Sequence, residues 1–69
     1  MINFEELKIL RRFETYIMKC GYDFINVFMI DSNYNYVKGY KIIDENKKEI
    51  GLLSKKRIIK EEKLWIENF

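Results

Sequence analysis

Carboxylates, one thiol and a set of lysines are the groups in this chain that could do chemistry. Asp31 followed by Glu45-Asn46-Lys47 has the letters of a metal-dependent nuclease, an acid and then an acidic-x-Lys tripeptide, and Glu61-Glu62-Lys63 offers the same letters. Ligands for a metal must be held rigidly by the elements that carry them. Both tripeptides fall in segments that read as turns. A carboxylate pair for glycoside chemistry needs one acid in a setting that raises its pKa, and no acid here sits in an apolar run. The chain has no histidine, which removes Ser-His-Asp and Cys-His catalysis. One thiol without an imidazole cannot supply four zinc ligands. Cys20 has no intrachain partner and reads as a buried structural thiol. Gly21, Gly39 and Gly51 are too far apart for a phosphate-binding loop. These residues lead to the expectation of a non-enzymatic chain with no catalytic residue, metal site or cofactor.

Two other sets of residues could bind rather than react. Residues 38 to 63 hold nine basic side chains against five acids. Lys55-Lys56-Arg57 is the tightest cluster and could neutralise phosphate. Lys38 shares one side of a strand with Tyr34, Tyr36 and Tyr40, an arrangement that could stack bases. Lys38, Lys55, Lys56 and Arg57 are therefore candidates for a nucleic-acid contact. The local charge is partly cancelled by Glu61 and Glu62, and lysines on a strand also serve to keep it from aggregating. Tyr and Trp are favoured at protein interfaces, which makes Tyr34, Tyr36, Tyr40 and Trp65 candidates for contact with another protein.

The elements that position these residues follow from periodicity. Asn3 is a good helix N-cap, with Glu6 three residues on for a capping box. Leu7, Leu10, Phe13, Ile17 and Cys20 recur at helical steps, and Gly21 suits the left-handed residue after a helix. Tyr22 to Asp31 is dense in aromatic and β-branched residues and reads as a strand. Ser32 to Asn35 is a turn, Tyr36 to Ile43 the returning strand, Asp44 to Lys48 a second turn, and Glu49 to Leu53 a third strand. Gly39 and Gly51 lie inside strands, where glycine marks a bulge or a close approach of backbone. Ser54 caps a short helix through about Lys60, and Leu64 to Phe69 reads as a last strand. The rival reading is one helix from Lys55 to Asn68. The expected fold is α+β in a single domain, residues 1–69. An N-terminal helix packs on a small antiparallel meander of three or four strands, with a short helix before a C-terminal strand. Leu7, Leu10, Phe13, Ile17, Phe24, Phe28, Ile30, Ile42, Ile50, Leu52 and Trp65 are the expected core.

The first strand carries the most useful pattern. Phe24, Phe28 and Ile30 lie on one side and Ile25, Val27 and Met29 on the other, so both sides are apolar in the middle. A strand with one wet side should alternate apolar with polar. Something must meet each side, and one helix covers only one. A chain of 69 residues leaves a large part of its surface unburied and here has neither disulfide nor metal to staple it. The pattern leads to the expectation of a protein-binding module that forms a homodimer through its sheet. Absence of Ala, Pro, Gln and His, with abundant Ile, Lys, Asn and Tyr, fits a low-GC bacterium or one of its phages or other mobile elements. An inhibitor or regulator is the kind of protein such elements encode. No basic region followed by an apolar run opens the chain, and no stretch approaches the roughly 20 apolar residues of a membrane span. The expected location is the cytoplasm, away from membranes.

Overall fold

Helix α1, Phe4–Lys19, begins where Asn3 stops the chain from extending further. Residues 3–66 are described by the computed structural model of the chain. The Asn3 side chain accepts from the Glu6 amide at 2.9 Å, and Glu6 Oε1 accepts from the Asn3 amide at 3.2 Å. Both halves of the capping box are thus in place. Asn3→Ala is expected to lower stability by about 1 kcal/mol, read as a shift in a urea unfolding midpoint with unchanged slope. The helix ends at a Cys20 cap, and Gly21 takes a φ of +85°.

Three strands follow: β1 Asp23–Ile30, β2 Tyr36–Ile43 and β3 Glu49–Ser54. They form an antiparallel sheet in the order β1-β2-β3. Both hairpin loops are built the same way. Asp31 Oδ1 accepts from the amides of Asn33 and Asn35, and Asp44 Oδ1 accepts from those of Asn46 and Lys48. The fourth residue of each loop, Tyr34 or Lys47, takes a positive φ of 63° or 67°. The register follows from these loops, with Phe24 opposite Ile42, Asn26 opposite Tyr40 and Phe28 opposite Lys38. On the other flank Tyr40 faces Leu53 and Ile42 faces Gly51, with a register shift at Ile42/Ile43.

Side chains in a strand alternate between two faces, so the register assigns them. Phe24, Asn26, Phe28, Ile30, Tyr36, Lys38, Tyr40, Ile42 and Leu53 share the face on which the helices pack. Leu10, Phe13 and Ile17 of α1 meet Tyr40 and Ile42 there, joined by Ile58, and these six residues are the buried core. Ile58 belongs to α2, Lys55–Lys60, which Ser54 caps by accepting from the Arg57 amide. The chain turns at Glu61 into α3, Glu62–Ile66.

The C-terminal strand expected from Leu64 is therefore corrected: residues 64–66 are helical, and residues 67–69 lie outside the described part. The reason is Trp65. Its ring stacks edge-on against Phe13 at 5.2 Å and lies near Tyr16, and its Nε1–H donates to the Ile58 carbonyl at 3.0 Å. A helical turn brings that ring over α1 and overrides the strand preference of Leu-Trp-Ile. The single-helix reading fails as well, since the chain breaks at Glu61.

The expected core also needs correction. Leu7, Phe28, Ile30, Ile50 and Leu52 are exposed, while Tyr40 is fully buried. The helices cover the half of their face that carries Phe24, Tyr40 and Ile42, and leave the half with Phe28 and Ile30 open. Cys20 is exposed as well, because α1 ends just before it and the stripe is not continued. Phe28, at 72% exposure, has little burial to lose. Phe28→Ala is expected to change folding stability by about 0.5 kcal/mol or less, measured by urea titration at low protein concentration.

Candidate binding surface

The sheet has two surfaces with exposed apolar side chains. One is the face opposite α1, which is open at Ile25 and Leu52, while its end with Met29 and Val37 borders Lys56, Arg57 and Lys60 of α2. The register places Ile25, Val27, Met29, Val37, Lys41, Ile43 and Leu52 on it. Ile25 is 49% exposed and Leu52 47%. The other is the open half of the helix-bearing face, with Phe28, Ile30 and Tyr36. On the first face Ile25 and Leu52 flank Lys41, and exposed apolar side chains grouped in this way on a sheet mark an interaction site.

The candidate tyrosines separate. Tyr34 lies at the tip of the first hairpin, 88% exposed, and Tyr36 begins β2 with its ring in solvent. Both are available to a partner. Tyr40 is not. It is fully buried, it packs against Phe13 and Phe24, and its hydroxyl donates to Glu14 Oε2 at 2.5 Å. It is corrected from a contact residue to a core residue, both as a protein anchor and as a base-stacking ring. Burial, reinforced by the hydrogen bond to Glu14 and by its charge, pushes the Tyr40 pKa well above the usual tyrosine value. Trp65 is half-buried against Phe13 and Tyr16, with its indole N–H already bonded to the Ile58 carbonyl, so most of it serves the fold.

The basic candidates separate too. Lys55 points along the helix-bearing face, its Nζ 5.0 Å above the Tyr40 ring, a cation–π contact. With Lys38 it borders a hollow of about 230 Å³ floored by Asn26, Val27 and Phe28. Lys56 and Arg57 lie elsewhere, on a groove of about 540 Å³ lined by Met29, Asp31, Val37, Ser54, Lys60 and Glu61. Arg57 Nε is bound to Glu61 Oε2 at 3.0 Å. The amides of Asn35 and then Asn33 hold the Asp31 carboxyl below the usual carboxylate range, and the Lys56 charge adds to this. The Lys55-Lys56-Arg57 run is thus divided between two surfaces, and one of its members already has an acid.

The acids of the nuclease-like patterns are dispersed. Asp31 and Glu45 sit in different hairpin loops; Glu61 pairs with Arg57, and Glu62 lies 3.8 Å from Arg12. Among the described residues no three acidic or thiol groups converge as metal ligands would, and no helix is long and apolar enough to cross a membrane.

Two features escaped the sequence reading. Glu14 is the partner of Tyr40, and its place three residues before Ile17 on a charged helix gave no signal. The apolar odd positions of β1 imply a second apolar face, but Val37 and Leu52 join it only once the register is known. The three comparisons with known proteins add nothing to this surface: no family model, no curated protein and no solved structure matches the chain.

Proposed function

We propose that this chain is a small protein-binding module without catalytic activity, an inhibitor or regulator carried by a phage or other mobile element of a low-GC bacterium. It works in the cytoplasm, as a homodimer assembled through its sheet. The observation that carries this reading is the sheet face on which Ile25 and Leu52 are exposed, with half-buried Val37 on the same face. A surface of that kind is costly to leave in water, at roughly 25 cal/mol per Å² of apolar area, and association removes the cost. Exposed Tyr34 and Tyr36 at one end of the sheet add aromatic contact area of the sort favoured at interfaces.

The test uses the intact chain and a double variant, Val37→Glu with Leu52→Glu. Wild type is expected to retain a protein from a nuclease-treated low-GC bacterial lysate, and the double variant to lose it while keeping its far-UV circular dichroism. Equal retention by both would sink the face as the binding surface.

A second reading is supported by the hollow that Lys38 and Lys55 border beside the exposed Phe28 ring. Two cations and an aromatic ring can take a phosphate and a stacked base of a single strand. That reading expects an oligonucleotide shift that weakens with salt and is lost when Lys38, Lys55, Lys56 and Arg57 are replaced by Gln. No shift at low salt removes it.

A further inference from the structure

The two edges of the sheet are not alike. The β3 edge is short, begins with a charge at Glu49, carries an irregularity opposite Ile42/Ile43, and runs directly into α2 at Lys55. Such features blunt an edge against pairing. The β1 edge also begins with a charge, at Asp23, but it is longer, its pairing with β2 is regular, and it does not run directly into a helix. From Phe24 to Ile30 it contains no charge, no proline and no glycine, and β2 lies on one flank alone.

The hairpin fixes which backbone groups of β1 face outwards. Asp31 N–H donates to the Asn35 carbonyl at 3.0 Å, so Asp31 and Asn35 form a hydrogen-bonded pair. In an antiparallel ladder such pairs alternate with pairs that exchange no bond. Met29, Val27 and Ile25 therefore bond to β2, and Ile30, Phe28, Asn26 and Phe24 turn their N–H and C=O groups away from it. Phe24 bears this out, since its amide donates to the neighbouring Asp23 Oδ1 at 2.8 Å. The amides of Asn26, Phe28 and Ile30 are left pointing outwards without a partner among the described residues.

These three residues are a symmetric set about Phe28. We infer that the β1 edge takes the β1 edge of a second copy of this chain, antiparallel, with the two-fold axis at Phe28. This deepens the homodimer reading above by naming the edge rather than the face as the contact between copies. Asn26 then pairs with Ile30 of the other copy, and Phe28 with its own counterpart. Each outward amide gains a carbonyl, and the Phe24 amide, already satisfied, is left out. The two Phe28 rings become direct cross-strand neighbours, an aromatic pair on the exposed half of the helix-bearing face. Asp23 and Asp31 come opposite uncharged residues in this register, so no like charges meet. The product is a six-stranded sheet in which the face exposing Ile25 and Leu52 is doubled and open to a different protein.

Phe28 at the axis gives a discriminating test. Wild type is expected to sediment as a dimer at tens of micromolar. Phe28→Lys and Phe28→Glu place like charges opposite each other and are each expected to raise the dimer dissociation constant roughly tenfold or more, and an equimolar mixture of the two to restore the dimer. Asn26→Pro removes one outward amide and no internal bond, so it is expected to be folded and monomeric, whereas Asn26→Ala stays dimeric. Circular dichroism checks the fold of each variant. A monomeric wild type overturns the inference, and so does a mixture no more dimeric than its components. If the Phe28 variants stay dimeric while Leu52→Glu dissociates, the edge is excluded and the homodimer through the sheet face stands.

Discussion

Tyr40→Ala is expected to unfold the chain at room temperature. The ring is at 0% exposure and meets Phe13, Phe24 and the Lys55 ammonium at once. Truncating a buried aromatic costs about 3–5 kcal/mol through lost transfer energy and the cavity left behind. Total stability for a domain of this kind is about 5–15 kcal/mol, and a chain this small sits low in that range. Tyr40→Phe keeps the ring and removes the hydroxyl alone. Glu14 then loses a charge-assisted hydrogen bond, an expected loss of about 1.5–3 kcal/mol. The same contact makes stability depend on alkaline pH. Folding raises the Tyr40 pKa, so the native state favours the protonated phenol. The associated stability is fully present below the ordinary tyrosine pKa of about 10 and is lost as pH rises beyond it toward the folded value. Urea midpoints are expected to be flat for this group from neutral pH to about 9 and to fall above about 10. The part of that fall due to Tyr40 should vanish in Tyr40→Phe, and an unchanged alkaline slope in that variant would refute the assignment.

Gly39→Ala is expected to be the most damaging single-methyl change in the sheet. Gly39 does not need glycine for its backbone angles, as it is not among the positive-φ residues. It needs glycine for room. A Cβ there would lie 2.6 Å from the Leu53 carbonyl oxygen and would collide with the Met29 sulfur. The methionine can swing aside because its side chain is flexible. The carbonyl belongs to β3 and cannot move without disturbing the central pairing. Overpacking of this kind costs about 1–3 kcal/mol, partly offset by the lower entropy of an unfolded chain that has alanine in place of glycine. Gly51→Ala provides the contrast, because a Cβ there meets Ile42 at an ordinary 3.7 Å. Denaturation curves of the two variants should separate clearly, with Gly39→Ala the less stable. Equal midpoints would mean that the sheet accommodates the methyl group.

Much of this architecture is legible in the residues because it is local. The Asn3–Glu6 box, the Gly21 turn, both Asp-led hairpin loops and the Ser54 cap each depend on contacts within a few positions. Period-two alternation separated the two faces of β1, and Gly39 announced a close approach before any distance was known. What could not be read was which half of a face the helices would cover. Phe28 and Tyr40 are both aromatic residues at even positions on the same face, yet one is bare and the other enclosed. That difference is set by where α1 and α2 lie on the sheet, a property of the whole fold. Trp65 was misplaced for the same reason, since local preference favoured a strand and packing on Phe13 required a helix. On the candidate surface, Tyr34 and Tyr36 were recognisable from the hairpin pattern. The division of Lys55 from Lys56 and Arg57 followed from helical geometry about a cap whose direction no short motif encodes.

The matched hairpin loops bear on the order in which the molecule assembles. Each is only five residues long, so little chain entropy opposes closure, and isolated hairpins form in about 1–10 μs. Val37 and Met29, or Tyr40 and Leu53, can therefore find each other without waiting for the terminal segments. The step that remains is capture of Ile17 and Ile58 on the preformed meander, which brings together residues far apart in sequence and is expected to govern the folding rate. Nascent chains would then display three paired strands while their flank at Asn26 to Ile30 is still bare. During synthesis, that interval is when crowding by sister molecules would matter most.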